Sequence, residues 1–269
     1  MREEIQIKLR ELITEINNYH DRYGENDIRS SFLDGYFQIL RTFYCAYYHL
    51  ASDDIMNKYY EIYNRRNFQR DNIEIHIQGH KQLLNSYLVI NCWSNFELFC
   101  TVFCDAVLSN SQKNNQLEIV YNRIHEILED IELDDVTDKK LKKFNKRHIA
   151  HVPIIYKYGK LLKMIYEYPT NRDKKEDRKF LEFFGTLRNC IHSNYIYYGA
   201  ENRSYTYNGV TYTFNTGQLV NQNPSFERSI YSLTKNLKDI CTVIIENIDY
   251  EDEIYDPSVE LTNNQPLIE

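Results

Sequence analysis

The sequence predicts an all-α fold, a helical bundle carrying one small β-hairpin, and three observations predict it. Only 8 glycines and 5 prolines interrupt 269 residues, whereas a sandwich or barrel needs frequent turns. Apolar residues recur at helical spacing through several long stretches. Strict alternation is confined to Ser204–Phe214, centred on Asn208-Gly209, a two-residue hairpin signal. Hydrophobic residues make up 42 % and charged residues 26 %, a globular composition with enough material for a real core.

The elements follow in order. Ile5, Leu9, Ile13 and Ile16 place a first helix over 2–20. Residues 28–64 read as one or two helices rich in Tyr and Phe, broken near Ser52-Asp53, a favourable N-cap. Residues 72–109 form the longest candidate and supply the core. A polar loop at 109–116 precedes a shorter helix over 116–131. Pro153 then separates a helix ending near Ala150 from one starting at Val152-Pro153, since proline suits the first turn. Residues 173–197 form a further helix, the hairpin follows, and a loop through Asn223-Pro224 leads to a last helix over 225–248. The chain divides into N-terminal helices packed on the core (1–70), a main helical domain (71–250) and an acidic, frayed tail (251–269).

Charge narrows the function. A net charge of −7 repels a phosphate backbone overall, so any nucleic-acid role needs a local basic patch. Lys139 to Lys163 offers one, with nine Lys or Arg and no acid. Cys45, Cys92, Cys100, Cys104, Cys190 and Cys241 form no CxxC pair and sit mostly in apolar runs, as reduced core thiols of a reducing compartment do. The charged amphipathic N-terminus is unlike a signal peptide, so a cytoplasmic location is expected. Tyr87 to Leu108 is the most apolar stretch, but Asn91, Asn95, Glu97 and Asp105 make it a buried helix rather than a membrane span. His76 and His80 lie a turn apart with no third ligand in register, so neither metal nor cofactor is expected.

The chemistry concentrates in 180–199. With Phe180 at 0° on a helical wheel, Phe183, Phe184, Leu187, Cys190 and Ile191 fall within about 80° and define the buried stripe. Arg188 and His192 lie on one flank, a turn apart, with Gly185 one turn earlier to admit another backbone or a substrate. Arg presents a fork of donors matched to phosphate oxygens, and His exchanges protons near neutral pH. Together they suit phosphodiester cleavage, in which the RNA 2′-hydroxyl is itself the nucleophile. Such a pair can instead simply cap a helix end.

The string Arg188-Asn189-Cys190-Ile191-His192-Ser193-Asn194, with an aromatic core before it and a hairpin after it, resembles the signature of the HEPN superfamily (higher eukaryotes and prokaryotes nucleotide-binding domains), over residues 71–250. The resemblance implies an all-helical domain, usually dimeric, and either a metal-independent endoribonuclease of toxin or phage-defence type or a non-catalytic nucleotide-binding or interaction subunit of a defence complex. It implies Arg188 on the phosphate, Asn189 as the polar residue beside it and His192 as the catalytic His. RNA, a second copy and an antitoxin or defence-complex partner are the implied associates. Three residues separate Arg188 from His192, where the family more often has a longer interval, and this favours the non-catalytic alternative. A second echo, Arg147-His148-Ile149-Ala150-His151, lies in the basic segment; Lys146, Arg147, His148 and His151 are candidates for binding RNA phosphates, or His148 and His151 are core histidines. The aromatic hairpin either stacks bases or covers a helix, and covering is the expectation.

Overall fold

The computed structural model describes residues 2–50, 57–58, 61, 70–113, 152–220 and 226–259. The break at Ser52-Asp53, the 116–131 helix, the helix ending near Ala150, the Asn223-Pro224 loop and the last ten residues lie outside them. The named elements run α1 (Arg2–Tyr23), α2 (Ile28–Leu50), α3 (Arg70–Val107), α4 (Ile154–Met164), α5 (Lys174–His192), β1 (Arg203–Tyr207), β2 (Val210–Phe214) and α6 (Phe226–Asn247). The fold is mostly helical, with one two-stranded antiparallel sheet.

α3 organises the molecule. Its residues are apolar on nearly every side, so it must be surrounded. α2, α4, α5 and α6 all pack on it, and Leu88, Val89, Phe96, Phe99, Cys100 and Phe103 are fully buried. Burying one such side chain stabilises by about 1.5–3 kcal/mol. Gly79–Val107 is the one described helical segment whose length and composition would let it cross a membrane; here it is the central helix. Its polar groups find partners: Asn95 Nδ2 donates to the Phe32 carbonyl at 2.8 Å, and Asn91 Nδ2 to that of Tyr87 at 2.8 Å.

Two segments depart from expectation. Residues beyond Asp249 are not frayed up to Asp256. Asp27, at the start of α2, accepts from the Arg29 backbone N–H and clamps its guanidinium with bonds of 2.8 and 2.6 Å. That guanidinium also reaches the Tyr250 and Asp252 carbonyls, and the Ile254 N–H donates to Asp27. A buried ion pair needs its remaining donors and acceptors satisfied, and the tail backbone satisfies them. α5, in turn, ends at His192 rather than at 197. Asn194 and Tyr195 take positive φ (55° and 64°), and the Tyr195 N–H returns to the Cys190 carbonyl at 2.7 Å, the long bond of a Schellman stop.

The hairpin matches its signal. Asn208 and Gly209 have φ of 47° and 75°, as a type I′ turn demands, and the register pairs Tyr205 with Tyr212. One face lies on α5: Tyr205 stacks on Phe183 at 4.4 Å between centroids, and Tyr207 meets Phe180 at 5.3 Å. These rings cover the side of the helix and are committed to the core.

Candidate functional site

α5 begins firmly. Asp173 caps it by accepting from the Lys175 and Glu176 N–H groups, which holds its carboxyl below the ordinary value. Phe180, Phe183, Phe184, Leu187, Cys190 and Ile191 are buried as the wheel requires. Leu181 and Asp177 are buried as well, and they lie on the flank that carries Arg188 and His192. That flank is therefore inside the molecule through most of the helix and opens only near its end.

Gly185 shows why. A Cβ there would sit 3.0 Å from two atoms of the Trp93 ring of α3, and Trp93 also stacks on Phe184 at 5.7 Å. The expectation that Gly185 admits another backbone or a substrate is corrected: the group it admits is the Trp93 ring of its own chain. A smaller residue was needed for the α3–α5 contact, not for a ligand.

One turn further on, Arg188 is partly sunk, with 26 % of its side chain exposed. Its Nη1 donates to Asn189 Oδ1 at 3.0 Å, its Nη2 lies 3.7 Å from Glu97 Oε2, and its Nε is buried with no partner among the described residues. Asn189 and His192 are exposed. The structure thus gathers Arg188, Asn189 and His192 on the last two turns of α5, with Asn189 bracing the guanidinium. Cys190, within the same string, points inward, and burial pushes its thiol up to about 11, so it stays protonated at neutral pH.

Glu97 is the participant that the sequence did not offer. It stands far from Arg188 in the chain, inside an apolar helix, where its only sequence signal is an acid set among large hydrophobic residues. Its carboxylate partly offsets the charge that a phosphate would seek. Lys146, Arg147, His148 and His151 lie outside the described residues. Among the described residues no group of three or more His, Cys, Asp or Glu is placed to hold a metal ion. All six cysteines are free; Cys45 is exposed and the other five are buried.

No family model, curated protein or solved structure matches the chain. Function must come from the site's own chemistry.

Proposed function

We propose that this chain is a HEPN-type endoribonuclease of toxin or phage-defence kind, cleaving RNA in the cytoplasm as a homodimer and without a metal. The observation that supports it is that Arg188, Asn189 and His192 share the last two turns of α5, with Asn189 and His192 exposed and Arg188 partly so. His192 takes the proton of a ribose 2′-hydroxyl as that oxygen attacks the adjacent phosphorus. The bond from phosphorus to the 5′-oxygen breaks, and that oxygen leaves with a proton from the imidazolium of the second copy. The products carry 2′,3′-cyclic phosphate and 5′-hydroxyl ends. Arg188 meets the charge that builds on the phosphoryl oxygens, a contribution on the order of 3 kcal/mol for one donor of this kind. Trp93 fills the notch at Gly185, so this reading puts the second copy on the Asn189–His192 edge of α5.

Analysis of RNA ends after incubation in EDTA tests the proposal. Cyclic-phosphate ends from the wild type and none from His192→Ala are expected, with both proteins equally folded. A wild type that is inert both in EDTA and with added metal removes the nuclease reading.

The Arg188–Glu97 contact favours a second reading, a non-catalytic nucleotide-binding or interaction subunit of a defence complex. An arginine partly neutralised by its own chain suits holding a phosphate better than stabilising its extra charge. RNA binding that Arg188→Ala abolishes, in a wild type that cuts nothing, selects it.

A further inference from the structure

Beside the end of α5 lies a groove of about 600 Å³, and its lining differs in kind from the motif. Gln82 of α3, Asn194 just past α5, Thr213 of β2, and Asn215, Gln218 and Leu219 of the following turn line it, and none of the described lining residues is charged. Gln82, Asn194 and Gln218 are exposed, and Leu219 shows 67 % of its surface. Two main-chain bonds hold the walls: Val220 N–H to the Tyr195 carbonyl at 2.8 Å, and Tyr197 N–H to that of Gln218 at 3.0 Å. Ser86 and the Tyr195 hydroxyl tie α3 to the same corner. Asn215 Nδ2 donates to Gln218 Oε1 at 3.2 Å, which orients both amides.

Carboxamides carry donors and an acceptor on one planar group, the pattern that reads a base edge. An exposed leucine offers the apolar surface that a base face packs against. A phosphate or an acidic peptide would want cations, and the groove has none among its described residues. Asn194 follows His192 by two residues, so their Cα atoms are at most about 7.6 Å apart. We propose that this groove is a nucleobase subsite, holding one base of single-stranded RNA next to the phosphate at Arg188 and His192 and giving the protein a base preference. The proposal rests on the RNA reading above, and its test separates the two.

The experiment measures binding of fluorescently labelled RNA tetramers of adenylate, cytidylate, guanylate or uridylate, and of an abasic tetramer, to the full chain. The readout is fluorescence anisotropy, with His192→Ala as the background so that nothing is cut. One base is expected to bind about tenfold tighter than the weakest. Gln82→Ala combined with Asn215→Ala is expected to level the four bases toward the abasic affinity without moving the melting temperature. Gln218→Ala alone serves as the second variant if that pair fails to fold. Arg188→Ala is expected to weaken all tetramers alike and leave the ranking intact. Equal binding of the four bases, or a ranking that survives loss of the amides, overturns the subsite. A base ranking that the amide variants erase, in a wild type that yields no cleavage products, keeps the subsite and removes only the nuclease. No binding of any tetramer removes both.

Discussion

The two ends of α5 each hold an arginine beside acidic and amide groups, and they treat it oppositely. At the N-terminal end Arg172 donates through Nε and Nη2 to both oxygens of buried Asp177, at 2.8 and 2.6 Å, and again to Asn236 of α6 at 2.9 Å. The bonds to Asp177 raise the Arg172 pKa, and Tyr168 adds its hydroxyl to Asp177 at 2.5 Å. At the C-terminal end Arg188 has one bond to its own chain neighbour, a carboxylate at 3.7 Å and a buried Nε with no described partner. A structural arginine is held by a close carboxylate pair, because an uncompensated buried charge is strongly destabilising. Arg188 has no such close pair among the described residues, which is what a guanidinium kept for a phosphate would need.

Asp177→Ala breaks the closely paired end and has the largest expected effect. It strands the Arg172 guanidinium and the Tyr168 hydroxyl, and denaturant unfolding should show a loss of about 3 kcal/mol. Gly185→Ala strains the middle of the helix, where the new methyl meets Trp93. Overpacking of about 1–3 kcal/mol exceeds the roughly 1 kcal/mol of helix propensity gained, so the melting temperature should fall, and Trp93→Phe should restore part of it. Glu97→Gln sharpens the open end and has the smallest effect. Removing a half-exposed counter-charge worth about 0.5 kcal/mol should tighten RNA binding roughly twofold, with stability nearly unchanged. Weaker binding in that variant would make Glu97 part of the ligand site instead.

Local periodicity made much of this fold legible. Ile5, Leu9, Ile13 and Ile16 announce α1, the apolar run from Tyr87 announces α3, and Asn208-Gly209 announces the hairpin turn. The stop of α5 was not legible, because its left-handed residues are Asn194 and Tyr195 rather than glycine. The wheel ranked Arg188, Asn189 and His192 correctly against the core stripe, but a wheel holds one helix. It could not show Trp93 arriving over Gly185 or Glu97 beside Arg188, which depend on the crossing of α3 and α5. The order of the tail is illegible for a similar reason. Glu251, Asp252 and Glu253 are exposed, but Asp27 and Arg29, at the opposite end of the chain, bind the Asp252 carbonyl and the Ile254 N–H.

Whether Arg188 is held for a phosphate or for the fold is decided by one paired measurement. Arg188→Ala is compared with the wild type for RNA cleavage rate and for melting temperature in the same buffer. A fall of about a hundredfold or more in cleavage is expected, with the melting temperature held within about a degree or two. Unchanged cleavage, or a loss of cleavage that merely tracks a large drop in melting temperature, would contradict the phosphate role.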